Sequence, residues 1–158
     1  MKIKTEGKIT ERIKSFHDAY CELGNEHPFV KSYEKYVNTA SGEEADVIAF
    51  LELRIICATL NEGWEPTFAE NECRYYPCFS TLTEEGYKIL DEDEKTYYIP
   101  LRSSGNVNTY RGFMYVGADG AGAYSLTKFN TRLVFKTKEL AEYCGKQFLH
   151  IWVDYLFK

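Results

Sequence analysis

The chain has 158 residues, of which 44% are hydrophobic and 27% charged, and its formal net charge is −5. This composition excludes a disordered chain and is typical of one globular domain with its own core. No apolar run approaches the roughly 20 residues that span a bilayer, and the first residues lack the apolar region of a signal peptide, so we expect a soluble, cytoplasmic protein without a membrane partner.

Residues 1–63 are predicted to be mostly helical. Apolar residues recur at intervals of three and four, which places them on one helix face: Ile9, Ile13, Phe16, Tyr20 and Leu23. His27-Pro28 predicts the start of a second helix, because proline suits the first helical turn. The stretch "SGEEADVIAFLELRIICATLNEG" is apolar nearly all round, so it predicts the central helix of the core.

Residues 73–136 change to a period of two and predict mostly strands. In "CRYYPCF", alternation separates two faces, with Tyr75 and Phe79 on one and Arg74, Tyr76 and Cys78 on the other. The segments "TYYIPLR", "YRGFMYVG" and "TRLVF" predict further strands. "DEDEK" reads as an acidic turn and "ADGAG" as a hairpin turn. We therefore expect an antiparallel sheet of four or five strands.

Residues 137–157 predict a helix with Thr137 as its N-cap. The whole chain, residues 1–158, is then a single α+β domain with N-terminal helices, an antiparallel sheet and a C-terminal helix packed on the sheet. The end of this helix, "FLHIWVDYLF", has two interpretations. Burial in the core is the favoured one, and the other is contact with a protein partner or a second copy through Phe148, Trp152 and Phe157.

Three motifs carry a resemblance to a known family. They are N-E-G-W-x-P at residues 61–66, R-Y-Y-P at residues 74–77 and F-K-T-x-E-L-A-x-Y-x-G-K-Q-F at residues 135–148. In these motifs the chain resembles a family of short uncharacterised proteins from bacteriophages and from integrated prophages of gut bacteria. The resemblance covers residues 48–82 and 130–156, and it implies an origin in a mobile element without implying a chemistry.

Motifs for enzyme chemistry are missing from the sequence. It contains no nucleophile elbow, P-loop or dinucleotide fingerprint. Cys144 and His150 are six residues apart on one helix and so face different directions. His17 and Cys21 have the spacing of half a zinc site but no second half. We therefore expect no catalytic residue, metal or cofactor, and predict a non-enzymatic phage or prophage accessory protein that acts as a binding module.

The charge distribution supplies an alternative function. Eleven basic and twenty acidic residues give residues 1–95 a net charge of −9, whereas residues 96–138 carry +5 and coincide with the aromatic strands. Rings flanked by cations are typical of single-stranded nucleic-acid binding. The ligand face predicted in this way consists of Tyr98, Arg102, Arg111, Phe113, Tyr115, Arg132 and Lys136. The competing interpretation is that these rings are ordinary strand residues packed in the core.

Overall fold

The computed structural model describes residues 7–39, 44–67, 69, 71–101, 111–121 and 133–158, and the fold is α+β. The helices in these ranges are α1 (Ile9–Arg12), α2 (Phe16–Leu23), α3 (Pro28–Val37), α4 (Ala45–Leu60), α5 (Glu84–Lys88), α6 (Glu92–Thr96), α7 (Lys138–Gln147) and α8 (Leu149–Phe157). The strands are β1 (Arg74–Leu82), β2 (Tyr98–Leu101) and β3 (Arg111–Ala121).

The sheet is antiparallel, with β3 between β1 and β2. Within the described ranges it has three strands, so the expectation of four or five is not matched. One predicted strand is reduced to a single bridge, and the acidic segment between β1 and β2, predicted as a turn, forms α6, which Asp91 caps by accepting a hydrogen bond from the Glu94 amide. Phe135, from the predicted strand "TRLVF", pairs with Tyr75 in a single bridge of two hydrogen bonds of 3.0 and 2.8 Å.

A β-bulge lets strand β3 continue across residues that the sequence predicted as a hairpin turn. Phe79 pairs with Tyr115 and Cys78 pairs with Gly117, which leaves Val116 as the extra residue. Gly117 has a φ of 153°, a value that favours glycine. The bulge bends the strand and lets pairing with β1 continue to Ala121. The prediction of a turn at "ADGAG" is therefore wrong for residues 118–121, which belong to the strand.

Helix α4 is the centre of the helical layer, as its sequence predicted. It packs against α2, α3 and α8, and its Leu53, Ile55 and Ile56 are fully buried. Helix α7 packs on β1 and β3 and joins this layer to the sheet. None of the helices in the described ranges has the length and apolarity needed to cross a membrane.

Two predicted helices are each broken in two. The first stops at Arg12 and resumes at Phe16, where Ser15 and Asp18 form a capping box. The C-terminal one is interrupted at Phe148, whose φ and ψ of −113° and 27° end α7 and precede α8. Since Phe148 is fully buried, this break lies in the core.

Asn61 holds the end of α4 to the chain that enters α7. Its side chain is buried, its Nδ2 donates to the Val134 carbonyl over 2.8 Å, and its Oδ1 accepts from the Lys136 amide over 3.0 Å. Beside it, Lys136 forms a 3.0 Å ion pair with Glu62. These contacts satisfy backbone groups of residues 134 and 136 that strand pairing does not use.

Candidate functional site

The two rings of the predicted ligand face lie in the core. Phe113 and Tyr115 are 2% and 7% exposed. The Phe113 ring stacks on Phe79 with centroids 4.8 Å apart, and Phe79 in turn contacts Trp152 of α8 at 5.2 Å. We call Phe79, Phe113, Tyr115 and Trp152 the core ring cluster. A nucleic-acid base could reach Phe113 or Tyr115 only after the C-terminal helices had moved away.

Glycine on α7 explains why this cluster packs so closely. A Cβ atom at Gly145 would lie 2.6 Å from the Tyr115 ring and 2.8 Å from the Pro77 side chain. Real Cβ contacts are longer, so any other residue would push α7 away from the sheet. Gly145, which belongs to the motif at residues 135–148, is thus a close-packing position.

The remaining residues of the predicted face are not assembled with these rings. Tyr98 pairs with Met114, so it lies on the opposite side of the sheet, where its ring contacts Tyr87 at 4.5 Å. Lys136 lies outside the sheet, in the ion pair with Glu62.

Three arginines complete the predicted face. Arg102 and Arg132 lie outside the described residues. Arg111 begins β3, and the structure describes its backbone pairing with Leu101. The residues whose side chains are described therefore lie in the core, on the outer sheet face and beside α4, and do not share one surface.

The apolar C-terminal helix is mostly explained by the core. Phe148 and Trp152 are 0% and 6% exposed, so in this fold their side chains contact the core and are not available to a partner. Phe157 is 48% exposed and its ring lies 5.2 Å from that of Phe113. Core burial, the favoured interpretation, therefore holds for Phe148 and Trp152.

The cysteines and histidines do not assemble a reactive centre in the described ranges. Cys21 Sγ lies 3.5 Å from His17 Nε2, but no group of three metal-ligating side chains occurs among the residues described. Burial raises the pKa of Cys57 well above its ordinary value, and its neighbour Cys144 adds to the effect. A buried thiol of this kind stays protonated and unreactive.

An open cleft lies between α2 and α3. Its volume is about 360 Å³, and it is lined by Phe16, His17, Tyr20, Tyr33, Glu34, Val37 and Asn38. A short connection joins the two helices: α2 ends at Leu23 with Gly24 as its C-cap, and α3 begins at Pro28. The cleft is a shallow groove that opens to solvent, not an enclosed cavity.

Three rings form the aromatic part of this cleft, and we call them the cleft ring cluster. The centroids of Phe16 and Tyr33 are 5.0 Å apart, those of Phe16 and Tyr20 6.1 Å, and those of Tyr20 and Tyr33 6.3 Å. Their planes are inclined to one another by 58° to 70°. Each ring packs partly against the core and is partly exposed, so part of its surface is open to a ligand.

Carboxylates fix the two tyrosine hydroxyls of the cluster. Tyr20 donates its hydroxyl hydrogen to Glu34 Oε1, and this bond is the main reason why the pKa of Tyr20 is raised. Burial raises the pKa of Tyr33, and the charge of Glu52 on α4 raises it further. Burial also raises the pKa of Glu52. The cleft thus combines protonated phenols with nearby carboxylates.

Sequence reasoning missed this cleft because it treated Phe16 and Tyr20 only as members of one apolar helix face. Helical spacing shows which residues share a face, but it does not show how far the next helix covers that face. The only local signal was the placement of aromatic residues beside acidic ones, as in Tyr33-Glu34. That signal is common on ordinary helix surfaces.

Comparison of the chain with protein-family models, with curated proteins and with solved structures finds no match in any of the three. The resemblance to phage and prophage proteins stays a prediction.

Proposed function

We propose that the protein is a non-enzymatic binding module and that its ligand site is the cleft between α2 and α3. One observation carries the proposal: three partly exposed rings and a carboxylate line the same open space of about 360 Å³. A mostly apolar concavity with a few placed polar groups is the usual form of a ligand site. The resemblance to phage and prophage proteins supports an accessory role for this module.

The chemistry of the lining favours binding over catalysis. A general base works best when its pKa lies near the operating pH. Tyr20 and Tyr33 have raised pKa values and stay protonated at neutral pH, so they serve as hydrogen-bond donors. Their partners, Glu34 and Glu52, are thereby engaged in holding the rings.

The proposal is tested with a fragment mixture that contains cationic, anionic and neutral compounds of similar size. Ring-proton NMR of Phe16, Tyr20 and Tyr33 reports binding at the cleft. We expect at least one class of fragment to shift these signals and Val37→Trp, which fills the cleft mouth, to abolish the shift. The matched control is Val116→Trp, because Val116 is also exposed but lies on the β3 bulge.

Two results would overturn the proposal. One is the absence of any shift at the three rings with every class of fragment. The other is equal binding by wild type and by a folded Val37→Trp variant, since a ligand in the cleft has to compete with the added indole for the same space.

A further inference from the structure

We infer that the cleft between α2 and α3 binds an organic cation, namely an ammonium or guanidinium head group. This inference rests on the proposed function and names the chemical class of its ligand. It depends on two observations: the spacing of the cleft ring cluster and the carboxylate beside it.

The ring spacing suits a cation that contacts several rings at once. Cations are attracted to aromatic faces when they lie within about 6 Å of the ring centroid. The three centroids are at most 6.3 Å apart, so one cation seated above their midpoint lies within that range of Phe16, Tyr20 and Tyr33 together. Attraction to a single exposed ring is weak, and a head group that reaches the faces of two or three of these rings gains more.

Glu34 supplies the charge complementary to such a ligand. Its Oε1 accepts the Tyr20 hydroxyl, which fixes the carboxylate among the rings. Glu34 is partly buried, so its attraction to a bound cation is screened less by solvent than that of a fully exposed carboxylate. Besides Glu34 and the tyrosines, the lining contains one further ionisable group, His17. Its Nε2 lies 3.5 Å from Cys21 Sγ on the same helix.

The surrounding helices are balanced in charge. Residues 7–39 hold five basic and five acidic side chains, so their net charge is zero, and Glu34 is the carboxylate of the lining. A neutral aromatic ligand could stack on the rings, but it would gain nothing from Glu34. The observations therefore favour a cation over the two other classes.

Choline and its neutral analogue, in which carbon replaces the nitrogen, form a matched pair of probes. The two have nearly the same shape and differ in charge. We expect choline to shift the ring-proton signals of the cleft and to bind about tenfold more tightly than the analogue. Equal affinities, or tighter binding of the analogue, would overturn the inference.

Glu34→Gln tests the role of the carboxylate, because glutamine keeps an acceptor for Tyr20 while removing the charge. We expect it to weaken choline binding by about threefold to fivefold and to leave the analogue unchanged. Glu26→Gln is the control, since it changes the net charge equally but alters an exposed pair with Lys31 outside the lining. Equal effects of the two substitutions would show that Glu34 has no local role and would overturn the inference.

Phe16→Leu provides a second variant in case Glu34→Gln impairs folding. It keeps apolar bulk but removes a ring, so choline should bind several-fold more weakly to the folded variant. Unchanged choline binding would contradict a ring-based site. Melting temperatures of all variants are measured beside the titrations, so that loss of binding is scored only for folded protein.

A short peptide with a central trimethyllysine, compared with free choline, distinguishes a side chain of a partner from a free small molecule as the source of the cation. Both sources satisfy the inference. Tighter peptide binding identifies a protein side chain, and equal binding identifies a small molecule. If neutral or anionic fragments bind in the cleft and no cation does, the inference fails while the proposed function survives. If no fragment binds there, both fail.

Discussion

The molecule has two aromatic clusters with similar spacing and different environments. In the core ring cluster, centroid distances from Phe79 to its neighbours run from 4.8 to 6.2 Å, and in the cleft ring cluster distances run from 5.0 to 6.3 Å. The first is covered by α7 and α8, whereas the second remains partly open between α2 and α3. Ring spacing alone therefore does not separate a core from a binding site, because the neighbouring helices decide the exposure.

The hydroxyl groups distinguish the clusters further. Tyr20 and Tyr33 each meet a carboxylate, which suits a ring that keeps contact with water. For Tyr115, burial is the main cause that raises the pKa, to about 12. In the cleft ring cluster the tyrosine hydroxyls form polar contacts, whereas in the core ring cluster Tyr115 contributes mainly its apolar ring.

Truncation of a core ring should have the largest effect. Phe113→Ala removes a ring that is nearly fully buried, so we expect it to lower the free energy of unfolding by about 3–5 kcal/mol. Urea unfolding followed by circular dichroism measures the change. Phe113→Leu is the control and should lose much less. A loss below about 1 kcal/mol for Phe113→Ala would contradict the assignment of this ring to the core.

Truncation of a cleft ring should cost less. Phe16→Ala should lower the free energy of unfolding by about 1–2 kcal/mol, because part of its ring already faces water. The same unfolding measurement applies. If this variant loses as much stability as Phe113→Ala, the rings of the two clusters do not differ in burial.

Alkaline titration should sharpen the contrast between the tyrosines. The pKa of Tyr115 is raised to about 12 in the fold, so its contribution is complete below the ordinary tyrosine pKa and is lost as pH rises toward 12. We expect the unfolding free energy of wild type to fall between pH 10 and 12 and that of Tyr115→Phe to fall less. Parallel curves for the two proteins would exclude Tyr115 as a source of this pH dependence.

The smallest effect concerns Glu52, the carboxylate that reaches Tyr33 from α4. Its pKa is raised chiefly by burial, so its protonated form is favoured in the fold and stability falls as pH rises through that pKa. Glu52→Gln keeps an acceptor and should raise stability at neutral pH by less than about 1 kcal/mol. The gain should disappear in acid, where wild-type Glu52 is also uncharged. A gain that persists in acid would point to a cause other than ionisation.

Local patterns predicted the helical part of the fold well. Pro28 starts α3, α4 is central, and Tyr75 and Phe79 pack against the core as strand alternation indicated. These features depend on short-range geometry, which a sequence expresses directly. The interruption between Arg12 and Phe16 was hidden because the apolar spacing continues across it and keeps the helical period.

The errors arose where contacts distant in sequence decide the outcome. The β3 bulge is seen in its pairing with β1, and Phe148 ends α7 inside the core. The predicted ligand face failed to assemble for a related reason: alternation placed Phe113 and Tyr115 together correctly, but it did not show that α7 and α8 cover that side. The cleft was missed because two of its rings were treated only as members of one apolar helix face.

Asn61 has a consequence for how the architecture can vary. Its two hydrogen bonds reach Val134 and Lys136, which lie 73 and 75 residues further along the chain. The chain therefore leaves the end of α4 and returns to the same place before α7. The sheet-bearing stretch is therefore an insert whose two ends meet at a common docking point. A change of length between these two points leaves both Asn61 hydrogen bonds in place, so the ends of the sheet-bearing stretch stay together.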